Sequence, residues 1–293
     1  MAFTERYSSL LRFPGVLPVL AVGASARLAV SMYGLALLLL AQRATGSLTD
    51  AGLVAAAAAV GYAVTGPLLG RLADRFGPVR PLVGTAVLNV VAFAGMLVVT
   101  GLSAPVVAIA AAALLIGASV PPVSACQRAL WRGLLAGRDE LLDTALALDS
   151  FSLDVFLISG PLLVTGLVVF AGSPAAVIVT ATLMLAGSVG FAALPACRGA
   201  PRRGSLLRAR GLGPLRSPGF RLLVVTIAAA GMALGIVRIS LIGFAAQAGD
   251  AAVGGLLYTA IGIGSAAGGL WYGSRTWTIP LGRRYTVLLA VYA

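Results

Sequence analysis

Two stretches of this chain continue for more than forty residues without one charged side chain. Residues 81–127 form a run of 47 uncharged residues, and residues 155–197 form a run of 43. A helix that crosses a bilayer needs about 20 apolar residues, so each run can supply two spans. Gly, Ser and Pro interrupt both runs near the middle, where helices end. Only 10% of the chain is charged, against about 25% in a soluble domain. The pattern therefore predicts an all-α membrane protein with many spans.

The uncharged runs of the whole chain predict eight complete spans. They cover residues 16–41, 51–70, 81–101, 105–127, 142–170, 175–195, 221–246 and 251–273. A ninth apolar run begins near Arg284 and the sequence ends at Ala293, which is too few residues to cross a bilayer core of about 30 Å. We therefore expect the sequence to be truncated at its C-terminus, inside a ninth span.

The basic residues predict the orientation of these spans. All 21 basic residues are Arg; 18 of them fall on the side of the N-terminus and Arg43 alone falls on the other side. Cytoplasmic loops carry the excess of basic residues in membrane proteins. We therefore expect a multi-pass protein of the plasma membrane with a cytoplasmic N-terminus. The same placement accounts for the net charge of +12 without nucleic acid as a partner.

A basic segment divides the chain after the sixth span. Residues 196–221 contain seven Arg and no acidic residue, and many transporters consist of two related halves. We predict a six-helix bundle over residues 1–195, a cytoplasmic loop over 196–221 and a partial second bundle over 222–293. A weak repeat supports this division, because Asp50 and Asp250 each precede the second span of a half.

The segment after the second span carries a recognisable motif. It reads Gly70-Arg-Leu-Ala-Asp74-Arg75-Phe-Gly77-Pro-Val-Arg80, and it resembles the cytoplasmic motif between spans 2 and 3 of the major facilitator superfamily. Pro78 stands where that family usually has a basic residue. The resemblance implies a bundle of transmembrane helices, and it implies that this segment is a conformational gate between the two halves. The alternative is an ordinary cytoplasmic loop rich in Arg.

The fifth span carries two carboxylates, Asp149 and Asp154, followed by Gly160-Pro161. It is similar to the fifth span of many bacterial exporters of the same family, and Gly160 and Pro161 resemble the core of the family's antiporter motif. We expect these two residues to form a pivot, because Pro removes one helical hydrogen bond. The carboxylates lie about 140° apart around a helix. Intramembrane carboxylates are costly and usually functional, so both are candidates for proton coupling.

Asp154 is the stronger candidate, since it lies deeper and burial favours the neutral acid. Asp149 lies near enough to the cytoplasmic end for water to reach it. Three Arg residues are further candidates for the proton pathway or the central cavity. Arg27 lies in the first span and Arg238 in the seventh, and Arg128, at the end of the fourth span, is a candidate partner of Asp74 or Asp154.

The resemblance implies a secondary transporter that works by alternating access, and we predict proton-coupled efflux of a small molecule by a monomer. A proton gradient would supply the energy, and no cofactor or metal is expected. An enzyme is disfavoured because the chain has no His and no Lys, which removes the usual metal ligands and bases. The other alternative is a truncated or degenerate gene product that transports nothing, since alternating access needs both halves.

Overall fold

The chain is helical throughout the part for which a computed structural model describes the backbone. That part comprises residues 3–198, 217–247, 263–265, 267–269, 271–272 and 281–292, and no strand occurs in it. The helices with defined bounds are α1 (Phe3–Leu11), α2 (Val16–Thr45), α3 (Leu48–Phe76), α4 (Val79–Gly101), α5 (Val106–Ala118), α6 (Val123–Leu134), α7 (Asp139–Ala171), α8 (Ser173–Ala193), α9 (Pro195–Arg198), α10 (Pro218–Gln247) and α11 (Leu281–Tyr292).

Six candidate spans correspond to the first six predicted spans. They are α2, α3, α4, the α5–α6 pair, α7 and α8, each long and apolar enough to cross a membrane. The all-helical membrane architecture is thus confirmed. Helix α3 continues to Phe76, six residues beyond its predicted end, because a helix can extend past the hydrocarbon core while its charged side chains meet water.

The predicted seventh span falls on α10, and α11 covers the start of the predicted ninth. Most of the predicted eighth span, residues 251–273, lies outside the described residues. The count of eight spans and part of a ninth therefore stays a prediction, as does the division into two bundles.

The fourth span is broken, although the sequence analysis treats it as one helix. Helix α5 ends at Ala118 and α6 begins at Val123, and Pro121-Pro122 lies between them. Proline has no N–H to donate and disfavours helical backbone in the residue before it. Asn89 of α4 compensates, because its Nδ2 donates to the carbonyl of Ile116 (2.9 Å) and to Ser119 Oγ (3.0 Å). These two bonds tie α4 to the end of α5 beside the break.

Two apolar clusters fill the bundle along the length of α2. One holds Met32 and Phe93 with side chains from α3, α5, α7 and α8. The other holds Trp131 and Phe191 with side chains from α1, α4, α7 and α9. Arg27 lies on α2 between these two clusters, so the charged residue interrupts the apolar interior between its two halves.

Glycine allows two helix pairs to touch through their backbones. A Cβ on Gly117 of α5 would collide with the backbone of Ala58 on α3, and a Cβ on Gly187 of α8 would collide with Ala26 on α2. Small residues at such crossings bring membrane helices into close van der Waals contact. These contacts fix α3 against α5 and α2 against α8.

The N-terminal helix α1 was not predicted, because its charged residues exclude it from any span. It lies against α7, where Arg6 forms an ion pair with Glu140 at 3.6 Å. Leu10 is fully buried in the second apolar cluster. Helix α1 therefore anchors the N-terminus over the end of the bundle that bears the Arg-rich segments.

Candidate functional site

A buried ion pair joins the first and fifth spans. Arg27 Nη1 donates to Asp149 Oδ1 at 2.8 Å, and Arg27 Nη2 donates to the backbone carbonyl of Asp149 at 2.7 Å. Both side chains are only 2% exposed. A guanidinium presents its donors as a rigid fork, so these two bonds fix the position of Arg27 against α7. The sequence analysis places Asp149 within reach of water; the structure instead buries it beneath α2 and α6.

Two residues of α6 complete the contacts of the carboxylate. Gln127 Nε2 donates to Asp149 Oδ1 at 3.0 Å, and Arg128 Nε donates to Oδ2 at 3.2 Å. Arg128 therefore pairs with Asp149, and with neither Asp74 nor Asp154 as the sequence analysis suggests. The break at Pro121-Pro122 starts α6 anew and places these neighbouring residues on the side of Asp149.

Two guanidinium groups share one carboxylate in this network. Arg27 is buried, whereas the side chain of Arg128 is 50% exposed. The excess positive charge can therefore be solvated at Arg128, which lowers the cost of burying the other two charges. The aromatic ring of Phe156 lies 5.7 Å from the Arg27 guanidinium, within the range of a cation–π contact. Arg27, Asp149 and Arg128 thus connect the bundle interior to the end that bears the Arg-rich segments.

Arg27 also lines a cavity of about 400 Å³ between α1, α2 and α7. Its walls are mostly apolar, and Arg27 is the charged side chain among them. They are formed by Tyr7, Leu11, Leu17, Leu20, Ala21, Ala24, Leu148, Ser152 and Phe156. A mostly apolar cavity of this size with a few placed polar groups is typical of small-molecule sites.

Asp154 is separate from this network. It is partly exposed, and its Oδ2 accepts a hydrogen bond of 2.9 Å from Ser265 Oγ. Ser265 lies in the predicted eighth span, so this bond joins the fifth span to a segment beyond the basic loop. The sequence offers no signal for the pairing, since 111 residues separate the two side chains.

The motif from Gly70 to Arg80 covers the end of α3, the turn at Gly77 and the start of α4. Asp74, Arg75 and Arg80 are exposed, and Asp74 forms no ion pair with any described residue. Gly77 has a φ of 81°, a conformation that favours glycine, and it allows α4 to begin two residues later. No described atom lies within 4 Å of a Cβ built on Gly70, so Gly70 makes no close helix contact within the described part of the chain.

Comparison with known proteins decides the family. The family model for the Major Facilitator Superfamily matches residues 19–293. An uncharacterized MFS-type transporter, y4rN of Sinorhizobium fredii (strain NBRC 101917 / NGR234), is 31% identical over 280 residues, which cover 91% of this chain and 68% of the relative. The chain belongs to the major facilitator superfamily. No solved structure matches it significantly.

Membership of the major facilitator superfamily implies a secondary transporter rather than an enzyme. Transporters of this family carry small molecules across a lipid bilayer. The resemblance drawn from the loop between spans 2 and 3 is thereby confirmed. The roles of individual residues are not decided by the family match, and they depend on the contacts of this chain.

The predicted pivot of this superfamily member lies inside α7. Pro161 occupies the helix interior, and Gly160 is buried where a Cβ would collide with Ser31 of α2. Helix α7 therefore packs tightly against α2 at the residue before its proline. Arg238 lies on α10, and its side chain is outside the described residues.

Both cysteines are buried in the second apolar cluster. Burial raises the pKa of the Cys197 thiol to about 11. A thiol with a raised pKa is a poor nucleophile at neutral pH. Cysteine chemistry is therefore not part of the candidate site.

Proposed function

We propose that the chain exports a small molecule by proton-coupled alternating access, and that Asp149 is the residue that binds the proton. The observation that carries the proposal is the fully buried carboxylate held by Arg27 and Arg128. Intramembrane ionisable residues commonly form proton relays. Asp149 is the member of this network that can exchange a proton, because guanidinium groups stay protonated. Half-exposed Arg128 lies on the side where water would reach the carboxylate, and Arg27 joins it to the cavity wall.

Proton binding would change both the packing and the charge of the site. When Asp149 is ionised, it attracts Arg27 of α2 and Arg128 of α6 to α7. When it is neutral, this attraction is lost and the charge of Arg27 is uncompensated beside the cavity. A ligand and a proton are coupled when each binds one of two conformations better, and these two charge states supply such a difference.

The remaining parts of the proposal follow the organisation predicted from the sequence. The six-helix bundle and the partial second bundle would rock about the site, with Gly160 and Pro161 as the pivot of α7. The motif from Gly70 to Arg80 would act as the cytoplasmic gate. The protein would work as a monomer in the plasma membrane with its N-terminus in the cytoplasm, driven by a proton gradient and without a cofactor.

Asp154 remains the second candidate for the proton site. Its bond to Ser265 spans the two predicted halves, so it could couple protonation to their separation. It has no cationic partner among the described residues. Asp149 is favoured because only its neutralisation releases two buried or half-buried ion pairs.

Inverted membrane vesicles containing the full chain test the proposal with a matched pair of variants. A panel of lipophilic dyes and antibiotics would identify a transported compound by its effect on an imposed pH gradient. We expect Asp149→Asn to abolish uptake driven by the gradient while exchange of labelled for unlabelled compound persists. Asp154→Asn should retain driven uptake.

The opposite pattern would move the proton to Asp154, and normal coupling in both variants would contradict proton binding at either residue. No observation favours the alternative of an inactive gene product.

A further inference from the structure

Each described side chain that forms a hydrogen bond with the Asp149 carboxylate is a donor. Arg27 and Gln127 donate to Oδ1, and Arg128 donates to Oδ2. This arrangement suits an ionised carboxylate, which only accepts hydrogen bonds. A protonated carboxyl group carries an O–H that needs an acceptor, and a buried donor without an acceptor is costly. The binding of a proton therefore requires a local change in these contacts.

Gln127 is the one member of the set that can supply an acceptor. Guanidinium groups have no acceptor atom, whereas an amide has both a carbonyl oxygen and an NH₂ group. Gln127 is fully buried, and its Oε1 has no hydrogen-bond partner among the described residues. A half-turn about the Cγ–Cδ bond would exchange the two ends of the amide. Such terminal torsions are broad and cross low barriers.

Gly23 provides the space that this half-turn needs. A Cβ on Gly23 would collide with Oε1 of Gln127, so the amide lies in a notch on α2 that only glycine leaves open. After the half-turn, Nε2 would lie in the notch and Oε1 would face Asp149. One end of the amide is without a partner in both orientations, so the half-turn does not change the number of unpaired amide atoms.

We propose that Gln127 is a positioning residue whose amide turns when Asp149 is protonated. Its NH₂ group donates to the ionised carboxylate, and after the turn its oxygen accepts a hydrogen bond from the protonated carboxyl group. The step forms an O–H bond on Asp149 with a proton from the aqueous side, and the O–H donates to Gln127 Oε1. The inference rests on the proposed function, because it requires Asp149 to take up a proton.

None of the described charged or titratable groups near Asp149 can take the role of acceptor that we propose for Gln127. Helix α2 contributes Arg27 and helix α6 contributes Arg128. Helix α1 contributes Tyr7 to the same cavity, Asp154 of α7 bonds Ser265 instead, and α8 has no charged residue in its sequence. No other acceptor within these elements contacts the carboxyl group.

Infrared difference spectroscopy on the purified full chain tests the proposal. The chain has three Gln residues, and ¹³C at their side-chain carbonyls makes their bands distinct. Loss in Gln127→Met assigns the Gln127 band, and loss in Asp149→Asn assigns the protonated carboxyl band. On acidification we expect the Gln127 carbonyl band to move to lower frequency as its oxygen gains a hydrogen bond, together with the appearance of the Asp149 band.

A stationary Gln127 band while the Asp149 band appears would overturn the amide turn alone. Failure of the Asp149 band to appear at any pH would overturn both this inference and proton binding at Asp149.

A pair of glycine variants on α2 provides a second measurement. Gly23→Ala fills the notch, whereas no described atom lies within 4 Å of a Cβ on Gly34. We expect Gly23→Ala and Gln127→Met each to slow gradient-driven uptake about tenfold, the effect of losing roughly one buried hydrogen bond, and to remove the infrared shift. Gly34→Ala should leave both readouts unchanged. An unaltered shift in Gly23→Ala would overturn the role of the notch.

Discussion

The Asp149 carboxylate accepts hydrogen bonds from three described side chains, and the sequence reveals only part of this environment. Arg27 and Asp149 are both recognisable, because charges within apolar runs are rare and costly. Their pairing is not recognisable, since 122 residues separate them and the faces that meet depend on helix packing. Sequence reasoning preferred the deeper carboxylate, Asp154. Depth along a helix does not determine burial, which also depends on the neighbouring helices.

Removal of the Asp149 carboxylate should destabilise the protein far more than removal of Asp154. Asp149→Ala leaves Arg27 buried without a counter-charge, and breaking a buried pair costs about 3–5 kcal/mol. Asp154→Ala removes one partly exposed hydrogen bond, at a cost of about 1 kcal/mol. Thermal unfolding in detergent measures both effects. Adding Arg27→Gln to Asp149→Ala should recover much of the loss. Equal destabilisation by the two Asp variants would contradict the assignment of the buried pair.

At the scale of elements, the uncharged runs predict where most helices lie. They do not predict a break in a helix that lies within an uncharged run. The ends of α4 lie within two residues of their predicted positions, because Gly and Pro mark both turns. The break between α5 and α6 was missed although Pro121-Pro122 is visible in the sequence. Proline is uncharged, so a run defined by the absence of charge continues across the break. Helix α1 was missed for the opposite reason, since it is amphipathic and charged and gives no membrane signal.

The backbone contact between α3 and α5 gives a prediction at this scale. Gly117→Ala places a Cβ against the backbone of Ala58, which cannot move without shifting a whole helix, and overpacking typically costs about 1–3 kcal/mol. Gly95→Ala on α4 is the matched control, because no described atom lies within 4 Å of its Cβ. It should be neutral or stabilise by up to about 1 kcal/mol. The melting temperatures of the two variants should therefore move apart, and a common shift would mean that the α3–α5 contact is not close.

For the whole molecule, the Arg distribution predicts which end of the bundle faces the cytoplasm. In the structure, α1, the α3–α4 turn and the α6–α7 turn fall at the end that bears most Arg residues of the first bundle. The α2–α3 turn lies at the opposite end, because consecutive spans alternate in direction. The Arg pattern thus predicts the orientation, whereas the arrangement of the predicted second bundle depends on contacts that no local pattern encodes.

Single cysteines on the two faces test this orientation. In a background of Cys126→Ala and Cys197→Ala, Thr49→Cys lies in the first turn of α3, and Ala136→Cys lies between α6 and α7. Both positions are exposed. A membrane-impermeant maleimide applied to intact cells should label the Thr49→Cys variant and leave the Ala136→Cys variant unlabelled until the cells are permeabilised. Labelling in the reverse order would invert the proposed topology.

The break in the fourth span has a mechanical consequence. Helix α5 is held by backbone contact with α3, whereas α6 begins after two prolines and carries Gln127 and Arg128 to the carboxylate. The fourth span therefore consists of two helices joined at Pro121-Pro122 rather than one continuous helix. We therefore expect α6 to shift together with the residues that contact Asp149 while α5 stays packed against α3.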